Sequence, residues 1–425
     1  MLRRSCAVLC AFGLLWQSSV VFAGTKLDFD QGVDVKETLQ TVRSEGANTV
    51  PEVAPAPVVA KEDADKPLAE WTIMVFINGK NNLASYGLKD TNEMEAVGST
   101  PKVNVAVELA TIKAGSKRYL IAKDDKPGEI TSAPVQDLGK VDMGSWSHLA
   151  DFGIWAKKAY PARRYMLVVW NHGSGWNKER AEVGTRGISY DDETGNHITT
   201  QQLAQALSAM GGVDVYASDA CLMQMAEVAY ELKDSAGVVV GSEETEPGDG
   251  YDYTGMLQRI VANPGGGAEA AGQAIVDSYR DWYAAKNQGT TQSSLRADTL
   301  KNLVPLIAGW TNAVMQANET TVIKAARTQV QDFYYSDNID LLHLVKLVGS
   351  ASQNGAVKSS GEALMRYIQE KIVAANGISG KGYENASGLA VYLPRYSVSN
   401  AYADLAWAKE SNWDEFAKWF VSIKE

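Results

Sequence analysis

Trp71-Thr-Ile-Met-Val-Phe-Ile-Asn-Gly79 is the stretch from which the fold is read. A nearly continuous apolar run that stops at Asn-Gly describes a strand covered on both faces, as in a parallel sheet between helices. Outward from it the chain alternates. The pattern predicts a helix over Tyr86–Val97, a strand over Val103–Leu109, a strand over Lys117–Lys123 and a helix over Trp146–Tyr160. A strand follows at Tyr165–Trp170, then a helix opened by Thr199 and closed by Gly211-Gly212. Next come the strand Val213–Ala217, a helix over Leu222–Lys233 and the strand Gly237–Gly241. Strands alternating with helices predict an α/β fold with a mostly parallel central sheet flanked by helices.

Past Asn263-Pro-Gly-Gly-Gly267 the chain reads as mainly helical to about Ala375, with amphipathic stretches around 268–287, 300–317 and 337–350. A late strand, Gly388–Leu393, is stopped by Pro394, and a final helix carries Trp413-Asp-Glu-Phe-Ala-Lys-Trp-Phe420. A chain of 425 residues exceeds one ordinary core. The expected division is a catalytic unit over 70–262 and a largely helical C-terminal part over 263–425.

The first 23 residues carry the marks of an export signal. Arg3 and Arg4 precede the apolar run Cys6–Trp16, and Val21-Phe-Ala23 offers the small residues that signal peptidase requires. The run is too short to span a bilayer, and neither Cys6 nor Cys10 follows a lipoprotein-type sequence. The expected product is secreted or periplasmic, with no membrane anchor. Residues 24–69 form an exposed leader, Pro- and Ala-rich over Thr49–Ala60 and charged over Lys61–Lys66. It is either a plain spacer or a removable pro-segment. The net charge is −11, and loss of Arg3 and Arg4 makes it more negative still. Like-charge repulsion disfavours nucleic acid and anionic lipid as partners, whereas cationic substrates are compatible.

Removing the signal leaves Cys221 as the single cysteine. No internal disulfide is then possible, and an exported lone thiol is either a small buried hydrophobe or a reactive group. Its position favours chemistry. Sites in parallel sheets lie beyond the carboxyl ends of strands. The strand Tyr165–Trp170 runs into Asn171-His172-Gly173-Ser174-Gly175, and Val213–Ala217 runs into Ser218-Asp219-Ala220-Cys221. If the two strands are neighbours, an imidazole and a thiol leave the same edge. The imidazole then serves as general base for a thiol whose ordinary pKa is ~8.5. The N–H groups of Gly173 and Cys221 are the candidate oxyanion hole. A helix starting at Leu222 would add its positive end near the sulfur.

The other histidines read as structural. His343 sits in an apolar helix face, while His148 and His197 are expected at the surface. A single thiol and the absence of His-Glu-x-x-His give zinc nothing to build on. His172-Gly-Ser-Gly175 has the look of an esterase oxyanion loop, but the chain has no Gly-x-Ser-x-Gly elbow. No cofactor is expected. Calcium at the acidic turn Asp191–Glu193 is conceivable on charge, although the spaced ligand loop is absent.

On these residues the chain resembles the clostripain family of cysteine peptidases, relatives of caspases, gingipains and legumains. The similar stretches are Trp71–Gly79 with Asn81-Asn-Leu83, Val169–Trp176, Gly187-Ile-Ser-Tyr-Asp-Asp192, Asp219-Ala-Cys-Leu-Met223 and Gly241–Gly250. Gly388–Pro394 and Trp413–Phe416 also match, so the likeness spans about 71–420. The resemblance implies a caspase-like sandwich, a His172–Cys221 dyad and cleavage after Arg or Lys in protein or peptide substrates. It also implies acidic residues at the base of the S1 pocket, with Asp249 the first candidate and Asp219 the second. Turn and helix-cap roles are the alternatives for these two. Similar proteins are cut between the histidine and cysteine strands, and here Lys178, Arg180 and Arg186 offer matching sites. The rival readings are a non-catalytic secreted binding protein of the same fold and a transferase or amidase using the same dyad.

Overall fold

The computed structural model describes residues 68–176 and 187–424. The signal 1–23, nearly all of the leader 24–69 and the cleavage candidates Lys178, Arg180 and Arg186 lie outside these residues.

The strands in chain order are β1 (Ala69–Gly79), β2 (Val103–Thr111), β3 (Gly115–Leu120), β4 (Pro134–Gly139) and β5 (Ala162–Trp170). Next are β6 (Ile188–Asp191), β7 (Asn196–Ile198), β8 (Val213–Asp219) and β9 (Ala236–Gly241). The last four are β10 (Thr290–Arg296), β11 (Asn338–Asp340), β12 (Val373–Ser379) and β13 (Ala390–Tyr392). One large sheet runs β12-β10-β9-β8-β5-β1-β2-β3-β4, while β6–β7 and β11–β13 form two small ribbons. Its centre, from β9 to β2, is parallel, and antiparallel strands close it on both sides.

The apolar run in β1 explains the layering. Met74 and Phe76 enter one core with the helices Trp146–Ala159, Thr200–Ala209 and Ala226–Leu232. Ile73, Val75 and Ile77 enter the other, covered by the helices Ala84–Glu95, Tyr253–Ala262 and Gly267–Ala285. Each of these five side chains is inaccessible to solvent, and burial of each contributes roughly 1.5–3 kcal/mol. Thr199 caps its helix with a reciprocal pair: its Oγ1 accepts from Gln202 N, and Gln202 Oε1 accepts from Thr199 N.

One expectation needs correction. The helix after Cys221 begins at Ala226, not at Leu222. The C-terminal part is largely helical, as expected, and its strands β10 and β12 extend the central sheet. The remaining C-terminal helices pack as expected, with Trp310 stacked on Trp413 at 6.5 Å and tilted against Phe416 at 5.5 Å.

Glu227, wholly buried in the helix Ala226–Leu232, joins this C-terminal part to the segment after Cys221. Its Oε1 accepts from Tyr392 N at 3.0 Å and from the Tyr402 hydroxyl at 2.7 Å. Burial pushes its carboxyl up to about 7, with these hydrogen bonds opposing the shift. A pKa raised on folding contributes stability that is full below the ordinary value of 4.5 and is lost as pH rises through about 7. Glu227→Gln keeps the acceptor oxygen and removes the ionisation. Between about pH 5 and about pH 8, stability to urea should fall by ~1–3 kcal/mol less in the variant than in wild type. Equal pH slopes would show that Glu227 does not titrate in this range.

Candidate active site

Strands β5 and β8 are adjacent and parallel, with Trp170 opposite Asp219. His172 and Cys221 each stand two residues beyond that pair. Neighbouring strands lie ~4.8 Å apart, so imidazole and thiol leave one edge of the sheet together. The loops that carry them are tied. Asn171 N donates to Asp219 O at 3.2 Å. The Asn171 side chain donates to Asn78 O at 2.6 Å and accepts from Tyr190 N at 2.7 Å. Gly173 lies directly on the cysteine turn, where an added Cβ would stand 2.5 Å from Cys221 O. No larger residue fits there without moving backbone.

Cys221 is buried, and its Sγ accepts from Glu246 N at 3.3 Å. The turn that follows has Leu222 in the left-handed region at φ 64°, which costs roughly 1–2 kcal/mol. Two backbone bonds compensate: Leu222 N donates to Glu244 O at 3.1 Å and Gln224 N to Ser242 O at 3.0 Å. The sulfur is thus set by a turn clamped onto residues 242–246. The short helix starts five residues after Cys221, so the sulfur does not stand at its first turn.

His172 is buried and shares a 2.7 Å hydrogen bond between Nε2 and Asn82 Oδ1. With that oxygen accepting, Nε2 carries the hydrogen and Nδ1 is the basic nitrogen. Asn82 is itself exposed, in the turn after β1. Neighbouring Asn81 fixes that turn by accepting from Leu83 N at 2.9 Å and donating to Tyr190 O at 2.9 Å.

The two S1 candidates occupy different environments. Asp249 is about a third exposed and ion-paired with Lys89 at 3.0 Å and Lys286 at 2.5 Å. Burial alone would raise its carboxyl, but hydrogen bonds from the two lysines outweigh this and hold it below the ordinary range. Asp219 is buried at the end of β8, where its Oδ2 accepts from Tyr253 Oη at 2.9 Å and Tyr251 N at 3.2 Å. Burial pushes its carboxyl up to about 6, against hydrogen bonds with Glu246 and Tyr253.

Among known families, that of clostripain, the C11 peptidases, matches residues 75–419. The chain belongs to the clostripain family. It is 22% identical to clostripain of Hathewaya histolytica over 390 residues, covering 76% of this chain and 74% of that protein. Its fold is similar to that of a secreted C11 cysteine protease from Bacteroides thetaiotaomicron, solved with an irreversible peptide inhibitor. That likeness has a TM-score of 0.64 at 20% identity and covers 81% of this chain and 99% of the other. It is also similar to an inactive zymogen C11 protease from Parabacteroides distasonis, with a TM-score of 0.62, 20% identity and the same coverage. The protein is accordingly a cysteine endopeptidase with the expected caspase-like α/β sandwich.

The remaining acids and histidines of this clostripain relative have structural partners. His148 is not a simple surface residue: its Nε2 meets Glu108 Oε1 at 2.5 Å, and Arg118 Nε meets Oε2 at 2.7 Å. His197 stacks on Tyr190 at 5.2 Å. His343 Nδ1 accepts from Gln331 N at 2.9 Å, the structural bond expected of it. In the Asp191–Glu193 turn, the buried Lys80 ammonium lies 2.8 Å from Glu193 and 3.5 Å from Asp191. Lys140 holds the other Glu193 oxygen at 2.8 Å. Among the described residues, no group of three or more His, Cys, Asp or Glu is arranged to hold a metal ion.

Sequence reasoning missed Asn82 and Glu246 as neighbours of the site. Asn82 had one usable signal, its place just beyond β1, the strand next to β5. Glu246 lies within the Gly241–Gly250 stretch that resembles the family, but its approach to Cys221 depends on how the segment after β9 folds back.

Gly173→Ala tests the seam between the two loops. The added methyl meets backbone rather than a flexible side chain. Alkylation of Cys221 by iodoacetamide should change at least several-fold, and the melting temperature should drop by a few degrees (about 1–3 kcal/mol). An unchanged alkylation rate would mean that the loops part without consequence.

Proposed function

We propose that this clostripain-family protein is an exported endopeptidase that cleaves after Arg or Lys through a His172–Cys221 dyad. The observation that carries the reading is the β5–β8 register, with both side chains two residues past one pair. In this mechanism His172 takes the thiol proton and the thiolate attacks the substrate carbonyl. The N–H groups of Gly173 and Cys221 receive the oxyanion, a role supported by the direct contact of the two loops. His172 then protonates the leaving amine, and water hydrolyses the thioester. Asn82 holds the imidazole with its basic nitrogen turned away from the amide.

For the basic residue before the scissile bond, placement supports Asp219 as the base of the pocket. It is buried two residues before the nucleophile, and no lysine or arginine is ion-paired with it among the described residues. Asp249 already binds two lysines near the surface, which suits the mouth rather than the base. The peptide inhibitor in the Bacteroides thetaiotaomicron structure supports peptides as the substrate class. The zymogen state of the Parabacteroides distasonis protein supports processing here; Lys178 and Arg180 are preferred to Arg186 because the latter adjoins the Gly187–Tyr190 stretch. The sequence of residues 1–23 supports export.

Cys221→Ala and His172→Ala should each lower kcat/KM by at least ~10³-fold with the fold retained, since nucleophile and base act as a unit. A peptide set varied at P1 should show preference for Arg and Lys. Asp219→Asn should reduce turnover of those peptides by ~30-fold or more, and by more than Asp249→Asn does. The reverse order would restore Asp249 as the base of the pocket. Mass spectrometry of wild type beside Cys221→Ala should show a break after Lys178 or Arg180 in wild type alone. An intact, fully active wild type would refute self-processing.

A further inference from the structure

We infer that Lys80 is a positioning residue of the reaction: its buried ammonium fastens the β6–β7 ribbon to the turn after β1, and through that turn it fixes the Asn82 amide that orients His172. The inference rests on the His172–Cys221 reading above and adds Lys80, two residues before Asn82.

Asn82 accepts from His172 Nε2 at 2.7 Å, yet it is exposed. An exposed amide on a turn keeps one direction only if the turn itself is held. The β6–β7 ribbon holds it. Asn78 Nδ2 and Asn81 Nδ2 each donate to Tyr190 O at 2.9 Å, and Asp192 N donates to Lys80 O at 3.0 Å. Tyr190 also receives the histidine loop: its N–H donates to Asn171 Oδ1 at 2.7 Å, and its hydroxyl shares a 2.8 Å hydrogen bond with Ser174 Oγ. One ribbon residue therefore sets both the loop that carries His172 and the turn that carries its partner.

The ribbon is in turn drawn to β1 by Lys80, which has no solvent exposure. Its ammonium donates to Val141 O and to Glu193 Oε2 at 2.8 Å, with Asp191 Oδ2 3.5 Å away. Two of these oxygens belong to the ribbon and its turn, and the third to the segment between β4 and the helix Trp146–Ala159. Asp191 completes the cage by accepting from Met143 N at 2.9 Å, Glu193 N at 2.9 Å and Thr194 N at 3.1 Å. Within the ribbon Ser189 is left-handed at φ 64°, a backbone that a non-glycine residue keeps only where its surroundings impose it. Its Oγ donates to Met143 O at 2.8 Å, so the same cage imposes it. For stability alone an apolar side chain of this length would serve as well, because the buried charges lose their hydration. What an apolar chain lacks is a directed link from the turn to three oxygens at once.

The test separates kcat from KM on the best peptide of the P1 set, with wild type and variants brought to the same chain integrity by mass spectrometry. Lys80→Ala should lower kcat by ~30-fold or more while KM changes by less than about threefold. Asn82→Ala should show the same split, and the double variant should be no slower than the slower single one, because both changes break one link. Propylammonium replaces the missing chain and charge. It should restore kcat of Lys80→Ala saturably and leave Asn82→Ala unchanged. If Lys80→Ala does not fold, Glu193→Gln keeps the lysine with its other two acceptors and decides the matter: kcat should fall several-fold, with no further loss on adding Asn82→Ala. A folded Lys80→Ala within about threefold of wild-type kcat, a loss that propylammonium leaves untouched, or losses that multiply with those of Asn82→Ala would overturn the inference and leave the proposed dyad standing. Full activity of His172→Ala would instead remove the reading beneath it.

Discussion

The in-register pairing of β5 with β8 is the constraint on which the site depends. Because side chains alternate along a strand, a slip of one residue would exchange faces. Met166 and Val168 would leave one core and Leu167 and Val169 the other. Both faces are dry, so the slip is forbidden from both sides. With the register held, the strands end level at Trp170 and Asp219. Trp170 is anchored further by its indole N–H, 2.7 Å from the buried Asp90 carboxylate. The imidazole and thiol therefore inherit their proximity from apolar packing that lies well below them.

No helix begins at the cysteine turn, although Leu222, Met223 and Met225 are buried in the core. Polar groups buried under the turn tie it further. Gln224 Nε2 donates to Ser293 O at 2.9 Å and Ser293 Oγ at 2.8 Å, and Ser293 Oγ donates to Gly388 O at 2.7 Å. Thr291 Oγ1 accepts from Glu243 N and Glu244 N, each at 3.2 Å. Glu243 in turn accepts from Gly388 N at 3.0 Å. Segments near residues 224, 243, 291 and 388 are thus interlocked by hydrogen bonds that water cannot replace. The C-terminal part is consequently a structural support of the turn that carries Cys221.

This division also explains what could be read from the sequence. Strands β1, β2, β5, β8 and β9 are apolar runs bounded by turn residues, and periodicity reveals them. Their order and the chemistry at two of their ends follow. Strand β10 is Thr290-Thr-Gln-Ser-Ser-Leu-Arg296, which shows no apolar alternation although it is buried, and Thr290, Thr291 and Ser293 use their side chains in hydrogen bonds. A polar strand inside a core is invisible to a hydrophobicity pattern. The helix expected at Leu222 failed for a related reason. Leu222-Met-Gln-Met-Ala-Glu-Val has helix-forming residues, yet Leu222 adopts a left-handed backbone that tertiary bonds to Glu244 and Ser242 enforce. The different burial of Asp219 and Asp249, one inside the fold and the other about a third exposed, is likewise not legible in the sequence.

The buried acids set one more limit. Burial raises the carboxyls of Glu227 and Asp219 to about 7 and about 6, and those of Asp90, Glu243, Glu246 and Asp340 are also raised. The folded chain therefore binds more protons through these groups than the unfolded chain does, so their contribution to stability declines as pH rises. A cysteine nucleophile gains reactivity in the opposite direction, because only the thiolate attacks. Conditions that favour the thiolate thus strain the interior around it. The apolar layers on both faces of β1 supply stability that ionisation does not touch.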